Sequence, residues 1–289
     1  MKKIILFYLV LILTLTWIFS WAAAQEWDNG ELPDWLKRVE LSVEYQTDKK
    51  PKFYFQTVQP LYQDSDQIHT IFIQPRVNLQ DERTTYNLGA GYRHLSSEDW
   101  IWGVNVFGDY QDQHRHGRLG FGLEALGQIW EARINTYWNG ITEKRKIKIT
   151  ESGTSLEKVA DGFDYELGVP LPYLPWLKIY GSGFFYNFRE VKDRSGWKSR
   201  LEARLNDRLR LEFFTFDDNK GEQEFGGRVR MQIAFMNLRD ILAALKFSEE
   251  PFPKKDLTQE LLIPVERDFK ITVEKYTKGG GLTVEAGRS

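Results

Sequence analysis

The stretch YNLGAGYRHLSSEDWIWGVNVFGDYQDQHRHGRLGFGLEALGQIWEARINTYW, residues 86–138, decides how the chain folds. Taken at every second residue, it separates into two faces. Tyr86, Leu88, Ala90 and Tyr92 fall on one face; Asn87, Gly89, Gly91 and Arg93 fall on the other. Trp102, Val104 and Val106 oppose Asn105 and Asp109. Leu119, Phe121, Leu123 and Ala125 oppose Gly120, Gly122 and Glu124. Trp130, Ala132, Ile134, Thr136 and Trp138 oppose Glu131, Arg133, Asn135 and Tyr137. A period of two marks strands with one apolar face. Four such strands follow one another with no helical pattern between them.

The alternation extends outward in both directions. Upstream strands are predicted at about 36–46, 52–62 and 66–78, downstream ones at about 161–169, 176–188, 196–205, 208–216 and 224–235. With the central four they make twelve. An even number is expected of a single-chain outer-membrane barrel, and each candidate is about as long as a tilted span requires. An open edge in lipid would leave backbone groups unpaired, so the sheet must close. The predicted fold is therefore all-β, a twelve-stranded antiparallel transmembrane barrel over residues 36–235. Arg76, Arg93, Asp109, Glu124, Glu131, Arg133, Arg200, Glu202, Arg204, Arg208, Arg210, Glu212, Arg228 and Arg230 are expected to line its lumen. A soluble β protein with two solvated faces is the alternative source of the same alternation.

Composition agrees with the barrel. Aromatics reach 15% and charged residues 28%, which suits apolar groups facing out and ions facing in. After the N-terminus there is no apolar run of the roughly 18 residues a membrane helix needs, which excludes a helical membrane protein. A net charge of −2 makes no case for nucleic acid. The absence of cysteine rules out disulfides and thiolate zinc sites.

Met1-Lys2-Lys3, the apolar run Ile4–Phe19 and Ala22–Ala24 predict a signal peptide over 1–24, cleaved before Gln25. A retained anchor is the alternative. Residues 25–35 form a short periplasmic lead, where Gly30 and Pro33 disfavour regular structure. Connections after even strands are short, at 95–98, 127–128 and 206–207, with a proline-stiffened PLPYLP at 170–175. Those after odd strands include 111–117 and the loop 139–160. Short turns face the periplasm and long loops face outside, which puts both ends of the barrel at the periplasmic rim. The twelfth strand closes on Phe235, a candidate barrel-assembly signal. Leu238, Ile241, Leu242 and Leu245 then repeat at helical spacing until Pro251 and Pro253. Residues 261–276 read as a linker and one more short strand, within a tail of 236–289.

The four histidines are His69, His94, His114 and His116. His114 and His116 share a loop with Asp109 and Asp112. A polar extracellular loop is the preferred reading, with a metal site or an acid/His pair as alternatives. Gly89-x-Gly91 and Gly120-x-Gly122 sit inside strands with no helix following, so they are not phosphate loops; glycine there permits curvature and close packing. No catalytic, cofactor-binding or metal-ligating residue is assigned.

Asn87–Arg93, Gly103–Asp109 and Arg118–Glu124, in that order, resemble the barrel domain of the intimin/invasin group, the inverse autotransporters. ADGFDYELGVPLPYLP at 160–175 and PVERDFKITVEK at 264–275 extend the resemblance over about residues 36–276. It implies a barrel in the cell outer membrane, a C-terminal passenger drawn through the pore, and a helical linker left inside as a plug. It also implies partners: outer-membrane lipid, the barrel-assembly machinery, periplasmic chaperones, and a host or surface receptor where a passenger exists. Residues 237–247 are the expected plug, a periplasmic amphipathic helix being the alternative. Twelve strands leave room for one helix or an extended hairpin. The chain departs from the family pattern at both ends, with no peptidoglycan-binding module before the barrel and 54 residues after Phe235. An adhesin passenger is therefore expected to be absent or lost. The expected function is an anchor and conduit for the chain's own C-terminus, not an enzyme; the alternative is a passive channel or structural barrel with a periplasmic tail.

Overall fold

A computed structural model describes residues 32–47, 49–81, 83–139, 145–150, 153–206, 208–232, 245–279 and 282–285. The predicted leader, residues 25–31, Phe235 and residues 237–244 of the expected plug lie outside the described residues. The chain divides into two units, Met1–Lys37 and Arg38–Ser289. In the first, Asp34–Lys37 form one helical turn. The Pro33 carbonyl opens it, accepting from the amides of Leu36 and Lys37 at 2.9 and 3.2 Å. The first barrel strand therefore begins at Val39, not near residue 36.

The second unit is a ring of strands. In chain order they are β1 (Val39–Gln46), β2 (Lys52–Thr57), β3 (Gln59–Gln63), β4 (His69–Gln80), β5 (Arg83–Ser97), β6 (Trp100–Gln111), β7 (His116–Gly127) and β8 (Glu131–Trp138). There follow β9 (Arg145–Thr150), β10 (Gly153–Val159), β11 (Asp161–Leu171), β12 (Leu174–Asn187), β13 (Arg194–Arg204), β14 (Leu209–Asp218), β15 (Glu224–Gln232), β16 (Val273–Gly279) and β17 (Leu282–Glu285). Among the described residues, twelve antiparallel strands close on themselves in the order β1-β2-β4-β5-β6-β7-β8-β11-β12-β13-β14-β15. Val43 opposite Val229 joins the last strand to the first, and Phe55 opposite Val77 carries the ring on from β2 to β4. β3 continues β2 past Val58 and pairs farther along β4, with a register shift between Pro60 and Tyr62. Proline has no amide to donate, so the ladder slips there.

Two connections differ from expectation. The segment 139–160 is not one long irregular loop: β9 and β10 form a hairpin that joins β16 and β17 in a second sheet, ordered β17-β16-β10-β9. The proline turn is shorter than the PLPYLP stretch suggests, because β11 and β12 run on to Leu171 and Leu174. Tyr173, at φ 66°, closes it in the left-handed region.

Burial is inverted relative to a soluble sandwich. Leu88, Val106, Leu167 and Phe213 are more than half exposed, whereas Arg93 and Arg118 are wholly buried. The exposed apolar residues belt the outside of the ring, with Trp102, Trp130, Trp138 and Trp197 among them. A contiguous apolar surface of this kind is what a barrel presents to lipid. Small inward residues make the interior fit. A Cβ on Gly89 would lie 2.2 Å from the Phe107 ring, and one on Gly91 2.3 Å from that of Phe72. Inward glycines on β5 are thus the slots into which neighbouring rings lie flat.

Candidate functional site

The inner wall is the chemical centre of the molecule. Because alternate residues point inward, each strand contributes a row of polar groups. Of the expected lumen residues, Arg76, Arg93, Asp109, Glu124, Glu131, Arg133, Arg200, Glu202, Arg210, Glu212 and Arg230 are buried. Arg204 and Arg228 are half-buried, and Arg208 stands half-buried at the rim just before β14. From β8 round to β1 these groups pair mainly with one another. Arg200 reaches Glu166 and Glu202, both at 2.7 Å; Arg228 bridges Glu212 at 3.0 Å and Glu44 at 2.5 Å. Lys178 and Arg133 close on Glu131 at 2.5 and 2.8 Å. Glu44, Glu166 and Lys178 were not singled out from sequence, although each lies on the polar face of its strand.

From β4 to β8 the wall turns to a different partner. Residues 257–272 run inside the ring; they overlap the 261–276 stretch that reads from sequence as a linker and one more short strand. At the short-turn rim, Gln128 holds Lys255 through both its amide and carbonyl, at 2.9 and 3.0 Å. Leu257, Leu261 and Ile263 then pack on Ile101 and Leu126. Arg93 donates to the carbonyls of Glu260, Leu261 and Ile263 at 3.2, 2.9 and 2.7 Å, while its Nε holds Glu124 at 2.6 Å. Gln74 accepts from the amide of Val265 at 2.9 Å. Val265 and Phe269 enter an apolar patch of Val58, Phe72 and Phe107. Arg267 pairs with Asp109, Glu266 with Arg230, and Glu260 with Arg204. Arg118 donates to the carbonyls of Asp268 and Lys270, and Tyr186 donates to the Asp268 carboxylate at 2.6 Å.

A segment that touches β4, β5, β6, β7, β8, β12, β13 and β15 can only lie within the ring those strands form. Its backbone joins no ladder there, so barrel side chains satisfy its carbonyls. Pro264, which has no amide, needs no acceptor in that setting. The ten residues from Ile263 to Thr272, if extended, reach at most roughly 33–36 Å, enough to cross a hydrocarbon core of about 30 Å. At the far rim Thr272 accepts from the Ala160 amide, and β16 pairs with β10 from Val273 opposite Val159. The tail thus enters where the turns are short and leaves beside the β9–β10 hairpin. It does not fill the lumen: a cavity of about 230 Å³ remains beside it, lined by Lys52, Lys198, Arg228 and Lys270 among others.

The expected common loop is shorter than the sequence suggests: Asp109 lies in β6 and His116 opens β7, leaving Asp112 and His114 in the connection. Asp109 is taken by Arg118 and Arg267, and Asp112 caps the Thr84 amide at 3.0 Å. His114 and His116 instead meet Glu157 of β10, at 2.7 and 2.9 Å. Burial pushes the Glu157 carboxyl up, but the hydrogen bond from His116 and the charge of Lys275, with further bonds from Lys275 and His114, hold it at about 2. These three residues could hold a metal ion.

A family model of the inverse autotransporter β-domain matches residues 22–196, more than half of the chain. The chain belongs to the inverse autotransporter β-domain family. It is an outer-membrane β-barrel of the inverse autotransporter type. Among relatives of this inverse autotransporter barrel is a putative attaching and effacing protein homolog of Escherichia coli (strain K12). It is 30% identical over 179 residues, covering 57% of this chain and 59% of that protein. The inverse autotransporter adhesin YeeJ of the same strain is 33% identical over 163 residues, 55% of this chain but 7% of that protein. The invasin of Yersinia enterocolitica is 28% identical over 155 residues, 52% of this chain and 18% of that protein. The matches span less than two thirds of each relative's length. A solved structure from a study of the in-meso crystallization of membrane proteins superposes with a TM-score of 0.64 at 19% identity. It covers 82% of this chain and 99% of that one. At that identity the likeness is one of fold.

Proposed function

We propose that the barrel anchors the chain in the outer membrane and serves as the conduit by which its own C-terminal segment reaches the cell surface. The observation that carries this reading is the continuous path of residues 257–272 from the short-turn rim to the hairpin rim. The same path weighs against a passive channel whose tail stays periplasmic. The segment also seals much of the pore after passage, through ion pairs and apolar contacts on facing walls. In this role the chain is a structural and secretory barrel, not an enzyme.

The rest of the cycle follows from export to the outer membrane. Residues 1–24 are removed as a leader, and periplasmic chaperones deliver the chain to the barrel-assembly machinery, for which Phe235 is the candidate signal. Two relatives are named an adhesin and an invasin; a passenger joined after this segment would meet a host or surface receptor. A tag placed after Ser289 tests the conduit. Protease added to intact cells should remove it. Full protection of the tag on a folded barrel would overturn the reading.

A further inference from the structure

We infer that His114, His116 and Glu157 form a site for a divalent first-row transition ion of the zinc type, where separate segments of the hairpin rim meet. Nδ1 of His114 and Nε2 of His116 lie 2.7 and 2.9 Å from the same carboxylate oxygen, Oε2 of Glu157. All three ligand atoms fall within 4.8 Å of one another. The imidazole planes cross at 82°, so their in-plane lone pairs approach that oxygen from different directions. Arg115, between them, sits at φ 54°. That left-handed turn, costly for a residue with a Cβ, brings both rings to one carboxylate.

Two imidazoles and a carboxylate suit zinc and its neighbours, whose bonds to such ligands are about 2.0–2.2 Å. Calcium and magnesium prefer oxygen ligands throughout. Lys275 Nζ holds the other oxygen, Oε1, at 3.0 Å, leaving Oε2 turned to the histidines. That is the arrangement of an outer partner orienting a metal-bound carboxylate. His116 is fully buried, but the His114 side chain is 21% exposed, which gives an ion its way in and water a fourth position. The ion would tie the β6–β7 connection to the β9–β10 hairpin. Through Glu157 and Lys275 it would also engage β16, the strand by which the tail leaves the barrel. This assignment stands apart from the conduit reading and does not need it.

The test uses the full chain without a polyhistidine tag, folded in detergent, stripped with EDTA and titrated calorimetrically with Zn²⁺. One zinc should bind per chain. His114→Ala, at a part-exposed position that leaves the fold intact, and Glu157→Gln should each weaken binding tenfold or more. His69→Ala, at the start of β4 where it stacks on His94, should leave it unchanged. X-ray absorption of the loaded protein should report two imidazole nitrogens. No uptake by a folded barrel, uptake undiminished in a His114→Ala, His116→Ala double variant, or loss with His69→Ala would each overturn the site.

Discussion

Arg267 on the tail holds Asp109 of β6 through both carboxylate oxygens, at 2.9 and 3.1 Å, while Arg118 of β7 reaches the same carboxylate at 2.8 Å. All three side chains are almost wholly buried. Removing the acid would leave two guanidinium groups facing each other out of water, a loss of about 3–5 kcal/mol. Asp109→Asn is expected to loosen the tail while the strand ladders hold. Limited proteolysis of the detergent-folded barrel checks this. Cuts within residues 257–272 should appear in the variant and be absent from the parent, at unchanged folded-barrel mobility on gels. Equal protection in both would mean the pair does not retain the tail.

Arg93 joins wall to tail in a way that lysine cannot copy. Its guanidinium serves Glu124 through Nε and three tail carbonyls through Nη1. An ammonium is a point charge without that planar fork. Arg93→Ala leaves Glu124 buried and unpaired, and should cost about 3–5 kcal/mol. Arg93→Lys should recover only part. Urea unfolding in detergent gives the order parent, Lys, Ala. Adding Glu124→Gln to the alanine variant should recover the part due to the stranded charge but not the lost bonds to the tail carbonyls; no recovery would place the cost elsewhere.

Much of the ring was legible because its signal is local. Tyr86 to Arg93 alternates whatever lies beside it, and lipid outside with ions inside enforces the alternation. The strand limits differ where a single residue overrides the period: Pro33 opens a helical turn, the 52–62 stretch is interrupted at Val58, and Pro60 shifts the register of β3 on β4. The β9–β10 hairpin was missed although Ile147 and Ile149 alternate with lysines before Gly153, a usable hairpin signal. A tail inside the barrel is implied by the family resemblance, but which residues thread it is not legible. Glu266-Arg267-Asp268 has no period of its own, and its meaning comes from Arg230, Asp109 and Arg118, which are far away in sequence. Glu157 is likewise 41 residues from His116, a separation that no loop motif reveals.

The outer face should respond to charge by depth. Val106 is 52% exposed in the middle of β6, flanked by the inward residues Asn105 and Phe107 and far from either turn. Trp102 is comparably exposed but close to the 98–99 turn. Arginine on the lipid face costs about 2–4 kcal/mol at the midplane and roughly 0–1 near the interface. Val106→Arg should therefore destabilise the barrel in phospholipid vesicles well beyond Trp102→Arg, read as equilibrium unfolding from the bilayer. Equal, negligible penalties would mean this face meets water.

The threading itself can be fixed covalently, because the chain has no cysteine to interfere. The Gln74 side-chain carbonyl accepts from the Val265 amide at 2.9 Å, so one glutamine side chain spans the gap between wall and tail at that level. Val265 packs among Val58, Phe72 and Phe107, where a smaller thiol leaves only a modest gap. Gln74→Cys with Val265→Cys should be bridged by a short bis-methanethiosulfonate in the folded barrel, and neither single variant should be. In planar bilayers the bridged protein should show a low, steady conductance, since a cavity of about 230 Å³ remains beside the tail. Deleting residues 245–289 should raise that conductance several-fold by removing the ion pairs and apolar contacts that occupy the β4–β8 side. A bridge that forms only in unfolded protein, together with no rise on deletion, would refute a tail lodged in the pore.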